Sequence, residues 1–558
     1  MKKNWTLTSI ILVFVLVAGA GCKPTTPQVI PTSSQSGVTE LTATPSTSAQ
    51  TSTDWWRTAT FYEIFVRSFN DSNGDGIGDF NGITARLDYL NDGDPNTKTD
   101  LGINAIWLMP INPSPSYHGY DVTDYMAVNP PYGTLDDFRN LLTEAHKRGI
   151  HVIIDWVINH TSSEHPWFLA SQDPNSPYRD YYIWSDSNPN YAGPWGETVW
   201  YPGKVGYYYG IFWSGMPDLN YRTPAVTDEI EKAASFWLKD VGIDGFRVDA
   251  AMYLIEDGKV QANTPETHDW YKNFRTFYKG INPDAMTVGE VWTTTSIVAT
   301  YLQGDQLDLA FNFDMADAWV TGISGYDASV LKFIIKYEYD RTKNTQFATF
   351  LTNHDQNRVL STLNKDVAKA KTAATLLLTF PGVPFIYYGE EIGMLGTKPD
   401  EDIRRPMQWT ADANAGFTTG SPWRAPDASY TTFNVAVENT DPNSLLSHYR
   451  TLVQLRMAHP ALQNGTMTPV DSPNLKTIAY LREDDQSSYL VIANLGNMSA
   501  TNIALSVPSS RLTKPVNPWM VVGEGSPAGL TVDANGGFTN YEPLPEIPAM
   551  TAIVIQLR

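Results

Sequence analysis

Residues 243–250 read Ile-Asp-Gly-Phe-Arg247-Val-Asp249-Ala250, and the fold turns on them. An apolar lead ends in a cation and a carboxylate two residues apart. On a strand, that spacing puts both side chains on one face. Three other stretches have the same plan: His151–Ile158 runs through Asp155 into Asn159-His160, Met286–Gly289 runs into Glu290-Val-Trp292, and Phe347–Leu351 runs into Thr352-Asn353-His354-Asp355. Buried parallel strands are near-continuous apolar runs, and chemistry at their C-terminal ends is the arrangement of an α/β barrel.

Working outward, eight such runs alternate with helix-like segments: ATFYEIFV (59–66), INAIWLMP (103–110), HVIIDWVI (151–158), IDGFRVDA (243–250), AMTVGEVW (285–292), LDLAFNFD (307–314), FATFLTNH (347–354) and VPFIYYGE (383–390). Helical periods lie between most of them, as in residues 135–149 and 227–242. The pattern predicts a (β/α)8 TIM barrel, class α/β, spanning 55–159 and 217–463. Residues 160–216 are rich in Pro, Tyr, Trp, Asn and Gly and have no long helical period. Structureless loops of that length are rare, so they are expected to form a small inserted domain after strand 3. Residues 464–558 hold short runs of strand formers between turn residues and predict a C-terminal antiparallel β-domain, a sandwich.

The chain has 558 residues and a formal net charge of -21, which disfavours nucleic acid as a partner. Its 17 Trp and 29 Tyr suit stacking on sugar rings as well as a large core. The single cysteine, Cys22, precludes an intrachain disulfide. Lys2 and Lys3 precede an apolar run from Ile10 to Ala18, which reads as a secretory signal over 1–21. Ala20-Gly21-Cys22 resembles a bacterial lipobox, although Gly19 stands where Leu is usual. Cys22 is therefore expected to be a lipid anchor, tying an exported protein to a membrane facing the cell surface or periplasm. Residues 22–54, mostly Thr, Ser, Pro, Gln and Ala, are a tether too polar to fold.

Arg247 beside Asp249 favours an ionised carboxylate, as a nucleophile requires, while Glu290 behind an apolar strand suits a proton-holding general acid. Two carboxyl groups of unlike pKa are the equipment for glycoside hydrolysis, with Asp355 as a third carboxylate able to favour a cationic transition state.

With these motifs the chain resembles the α-amylase family of retaining α-glucan hydrolases from about residue 55 to the C-terminus. The resemblance implies Asp249 as nucleophile, Glu290 as general acid/base and Asp355 as transition-state stabiliser. It also implies that Tyr120, Asp121, His160, Arg247, His354 and Arg358 bind substrate. MPDLN at 216–220 is similar to that of a group between oligo-1,6-glucosidases and neopullulanases, which includes lipoprotein α-amylases. Ala250 and Gly289-Glu290-Val291-Trp292 point to an amylase acting within α-1,4-glucans, starch or maltodextrin. RRPMQW (404–409) is shared with oligosaccharide-acting relatives, so an α-glucosidase, neopullulanase-like enzyme or glucanotransferase is the alternative. A non-catalytic surface glucan-binding lipoprotein is a remote one, since all three carboxylates are present.

The loop Asp71-Ser-Asn73-Gly-Asp75-Gly-Ile77-Gly-Asp79 offers side-chain oxygens at positions one, three, five and nine and a carbonyl at seven, a set suited to Ca²⁺. Gly82 stands where an EF-hand has its bidentate Glu, so this is not an EF-hand. Relatives of the family bind calcium through similar loops.

Overall fold

The computed structural model describes residues 54–342 and 346–558. The signal segment, Cys22 and nearly all of the tether lie outside the described residues.

Eight parallel strands form the central sheet: β1 (Phe61–Ile64), β2 (Ala105–Leu108), β3 (His151–Trp156), β4 (Gly245–Val248), β5 (Met286–Gly289), β6 (Leu309–Ala310), β7 (Ala348–Thr349) and β8 (Val383–Tyr387). Each lies within one of the eight predicted runs. Hydrogen-bonded neighbours follow in the order β7, β8, β1, β2, β3, β4, β5, β6. A parallel bridge between Phe311 and Ala348, with Asn312 N–H donating to the Ala348 carbonyl at 3.0 Å, joins the two ends. The sheet is therefore a TIM barrel.

Side-chain alternation gives the barrel two faces. Phe61, Ala105, Ile153, Met286, Leu309, Ala348 and Val383 pack together inside it. Tyr62, Ile106, Val152, Ile154 and Phe246 belong to the outer core beneath the helices. Two residues beyond Phe61, Ile153 and Gly245, on the same inward face, stand Glu63, Asp155 and Arg247, all buried. The apolar plug thus gives way to a charged layer toward the C-terminal ends of the strands. Register fixes its central contact, since Asp155 and Arg247 are direct partners across β3 and β4.

The helix Leu135–Lys147 between β2 and β3 shows why its sequence folds as predicted. Thr134 and Asp137 form a reciprocal capping box, and Phe138, Leu141, Leu142 and Ala145 bury one stripe.

Between β3 and β4 the chain forms a three-stranded antiparallel sheet from Trp184–Ser185, Trp200–Pro202 and Tyr207–Tyr209. Val199, Trp200, Tyr209 and Ile211 make its core. His160 and Asp218 pair in an antiparallel bridge where this segment leaves and rejoins the barrel.

The C-terminal region holds β9 (Thr466–Pro469), β10 (Thr477–Glu483), β11 (Ser488–Asn494), β12 (Leu505–Val507), β13 (Trp519–Val522), β14 (Phe538–Tyr541) and β15 (Thr551–Gln556). They form a five-stranded antiparallel sheet, order β9-β10-β11-β15-β13, and a two-stranded sheet of β12 and β14. The five-stranded sheet is tied to the barrel region by Arg482 Nη1, which donates to the Thr379 carbonyl at 2.6 Å. Among the described residues no helix is long and apolar enough to cross a membrane.

Candidate active site

A cavity of about 590 Å³ opens at the C-terminal end of the barrel. Asp249, Glu290 and Asp355 all reach it, together with Tyr120, His160, Ala250 and Arg404. They come from different strand ends, which is where barrels of this kind place their chemistry.

Arg247 organises the floor. Its Nη1 donates to Asp155 Oδ1 at 3.0 Å and to Asp249 Oδ1 at 2.6 Å, and its Nη2 donates to Glu290 Oε2 at 2.8 Å. Asp249 and Glu290 follow different strands yet sit on neighbouring nitrogens of one guanidinium. Ala250 follows Asp249 in the left-handed region, at φ 47°, and its N–H donates to Glu290 Oε2 at 3.1 Å.

His354 links Asp355 to the barrel interior. Nδ1 lies 2.5 Å from Glu63 Oε1, and Nε2 lies 2.6 Å from Tyr120 Oη and 3.2 Å from Asp355 Oδ2. With a carboxylate on each side, only an imidazolium can donate to both. Burial alone would lower its pKa; Asp355 and Glu63 overcome that and carry it up to about 9. Arg404 Nη2 donates to Asp355 Oδ1 at 2.8 Å. Despite burial, His354 and Arg404 hold the Asp355 carboxyl far below the usual range, so it is an anion throughout neutral pH.

The two carboxyl groups beside Arg247 behave differently. Burial raises Asp249 to about 6 and Glu290 to about 7, against the pull of Arg247 and helped by their anionic neighbours. The sequence suggests that Arg247 keeps Asp249 readily ionised. In the structure that cation is divided among three carboxyl groups, so burial prevails. The order survives: Glu290 holds its proton to higher pH than Asp249.

His160, neutral because burial lowers it to about 4, lies with Nε2 3.0 Å from the Tyr120 carbonyl. Asp121 does not line the cavity; its carboxylate accepts from the Ser114 and Ser116 hydroxyls. Arg358 also stands apart from the cavity: Nε donates to the Ile403 carbonyl at 2.9 Å and Nη1 to the Tyr388 carbonyl at 2.7 Å. Its guanidinium, buried over the Tyr387 and Tyr388 rings, braces the loop after β8.

Sequence reasoning assigns no role to Asp155, Glu63 or the aromatic rim. Asp155 stands inside one of the four motifs, and a carboxylate within an otherwise apolar strand is the signal that could have found it. Trp195, Phe212 and Trp213 come from the inserted segment and Trp292 follows β5; all four line the cavity. Trp195 is 59% exposed and Trp292 is 48% exposed, and Trp292 lies flat on Phe313 at 4.4 Å. Exposed indole faces around a polar floor suit a ligand with apolar ring faces and hydroxyl edges.

Comparison with known proteins decides the family. The family model for the α-amylase catalytic domain matches residues 63–465. The chain belongs to the α-amylase family.

As a member, this α-amylase-family protein is a glycoside hydrolase. It is 43% identical over 457 residues to alpha-amylase 3 of Dictyoglomus thermophilum, covering 80% of this chain and 86% of that protein. It is 34% identical over 524 residues to an oligo-1,6-glucosidase of Heyndrickxia coagulans, with 79% and 92% covered. The crystal structure of an alpha-amylase from H. orenii superposes with a TM-score of 0.78 at 42% identity, covering 90% of this chain and 99% of that one.

In this α-amylase-family enzyme the Asp71 loop is closed by its own hydrogen bonds. Asp71 Oδ1 accepts from the N–H groups of Asn73 and Gly74, and Oδ2 from Gly76 N–H and the Thr418 hydroxyl. Asp75 accepts from Ile77 N–H, and Asp79 caps the following helix through Gly82 N–H. Among the described residues no group of three or more His, Cys, Asp or Glu side chains converges as a metal cluster. The oxygen-only donor set is still of the kind that a hard cation takes.

Proposed function

We propose that the enzyme is a retaining, endo-acting hydrolase of α-1,4-glucans, starch or maltodextrin, working through a covalent glycosyl-enzyme. The observation that carries this reading is the placing of Asp249 and Glu290 on adjacent nitrogens of Arg247 at the floor of an aromatic-rimmed cavity. Sharing one guanidinium keeps the two carboxyl groups near each other, as direct attack by a nucleophile requires, whereas an inverting enzyme needs room for a water between its base and the sugar.

In the first step an Asp249 oxygen attacks the anomeric carbon. The bond from that carbon to the glycosidic oxygen breaks, and the departing oxygen takes the Glu290 proton. In the second, Glu290 as carboxylate takes a proton from water, the water oxygen attacks the same carbon, and its bond to Asp249 breaks. Asp355, a fixed anion, stabilises the positive charge that develops on the sugar ring in both transition states. Tyr120 and His160, which line the cavity, bind the attacked sugar in this reading, while Arg247 and His354, buried beneath them, hold the carboxylates in place.

Ala250, the Glu290-Val291-Trp292 sequence and the similarity to alpha-amylase 3 favour cleavage inside α-1,4 chains. The test is a time course on soluble starch. Endo cleavage removes iodine colour while few reducing ends have formed and releases mixed short products. Glucose alone, released from chain ends with the colour retained, would instead make it an α-glucosidase.

The pH dependence follows from the two carboxyl groups. Asp249 must be ionised and Glu290 protonated. Activity rises as pH passes about 6, where Asp249 loses its proton, and falls as it passes about 7, where Glu290 loses its own. The kcat/KM profile of the free enzyme is thus expected to be a narrow bell. A flat profile from about pH 5 to 9 would contradict this assignment.

We assign a calcium ion to the loop of Asp71, Asn73, Asp75, the Ile77 carbonyl and Asp79, where it would offset the charge of the loop's carboxylates and stabilise the fold. A ligand that binds only the folded state at about 100 times its Kd raises stability by about 2.7 kcal/mol. Chelation is expected to lower Tm and added Ca²⁺ to restore it, with Asp71→Ala abolishing the response. An unchanged Tm would remove the ion from the loop. The sequence also supports an exported lipoprotein anchored at Cys22, which incorporation of labelled palmitate into wild type and not into Cys22→Ala would test.

A further inference from the structure

Glu63 is the one charged residue of β1, buried on the inward face and placed two residues beyond Phe61 of the apolar plug. Nothing in the catalytic scheme above uses it. Its Oε1 lies 2.5 Å from His354 Nδ1. The other ring nitrogen, Nε2, faces Tyr120 and Asp355. Tyr120 Oη donates onward to Asp155 Oδ2 at 3.1 Å, and Asp155 binds Arg247. One hydrogen-bonded line therefore runs from Glu63 through His354 and Tyr120 to the guanidinium that holds Asp249 and Glu290.

We propose that Glu63 is a positioning residue for hydrolysis: by taking the Nδ1 proton of His354 it fixes the ring and directs the Nε2–H at Tyr120 and Asp355. The direction of donation along the line follows. Tyr120 gives its proton to Asp155, so it must accept from Nε2. Asp355 has no proton to give, so it too accepts. Both demands require a proton on Nε2 while Glu63 requires one on Nδ1, and only a charged ring supplies two. With Glu63 neutral, the ring loses one of its two flanking anions and is free to adopt the tautomer that leaves Nε2 bare. Asp355 would then lose a donor and Tyr120 would turn from Asp155.

Titratable groups that feel the Glu63 charge include His354, Tyr387 and Glu390. Those in reach of His354 are Glu63, Asp155 and Asp355, with Tyr120 on Nε2. Trp107 packs edge-on against the His354 ring at 5.5 Å. Glu63 is the carboxylate that bonds Nδ1.

The inference rests on the carboxylate roles proposed above, and its test is separable from theirs. Glu63→Gln keeps the shape and an acceptor oxygen and removes the charge. It is expected to lower kcat by about 10- to 100-fold, as for an orienting carboxylate behind a histidine, with KM changed less than about threefold. Made in a His354→Gln background, the same change is expected to cost less than about twofold more, because the residue through which it acts is gone. Losses that multiply in the double variant, or a single variant within twofold of wild type, would overturn the proposal. Should Glu63→Gln fail to fold, nuclear magnetic resonance of histidine-labelled wild-type enzyme decides instead. His354, assigned through His354→Gln, is expected to be protonated on both nitrogens at about pH 7.5, and a neutral ring there would overturn it. Failure of the carboxylate scheme shows itself elsewhere, as an active Asp249 variant.

Discussion

Asp249→Asn is expected to abolish hydrolysis of starch, with kcat reduced by on the order of 10⁴-fold, while maltooligosaccharide still binds with a Kd within about tenfold of wild type. The amide is nearly isosteric, and its oxygen can still accept from Arg247 Nη1, so the floor of the site keeps its shape. It cannot form the glycosyl ester. The variant also removes one anion beside Glu290, whose pKa should fall; the general acid is then weakened as well. Calorimetry for binding and a stopped assay for turnover separate the two effects. A variant retaining a tenth of wild-type turnover would remove Asp249 from the nucleophile's role.

The second large effect depends on the leaving group. Glu290→Gln is expected to cost about 10³- to 10⁴-fold on starch, whose departing hydroxyl needs a proton. On an α-maltosyl fluoride, whose fluoride leaves without one, the first step should survive. The second step still needs a base to activate water, so the glycosyl-enzyme accumulates and adds the mass of the sugar to the intact protein. Equal losses on both substrates with no mass increment would show that Glu290 is not the acid. Opposite behaviour of the Asp249 and Glu290 variants toward one activated substrate distinguishes nucleophile from acid without recourse to the structure.

The barrel is legible because its strands are buried on both faces and so stand out as apolar runs, each ending near a polar residue. Arg247 and Asp249 are legible as a same-face pair for the same reason. Glu63 is not, because one carboxylate within Phe61–Ile64 looks like an interruption of a strand until its partner, 291 positions away, is seen against it. The rim is hidden differently. Trp195 and Trp213 lie in a segment without long periodicity, and nothing local shows which of its many aromatics cover its own core and which remain open. Arg358 is expected at the substrate from the family resemblance alone, and a resemblance does not fix where a side chain turns: its guanidinium meets the carbonyls of Tyr388 and Ile403. The strength of burial is equally illegible: Arg247 beside Asp249 suggests a firmly ionised carboxylate, but burial, helped by the Asp155 carboxylate, raises Asp249 to about 6 against the pull of that cation.

The segment carrying Trp195 and Trp213 departs and returns at two residues, His160 and Asp218, that pair with each other. Phe168, Tyr181, Tyr182 and Tyr208 of that segment pack into the main core, while Val199, Trp200, Tyr209 and Ile211 make a small core of their own, so its outer part can be altered with little disturbance of the ring beneath. The carboxylates of the floor and the open indoles of Trp195 and Trp213 thus sit on different parts of one chain, and the outer part can vary while the floor stays fixed.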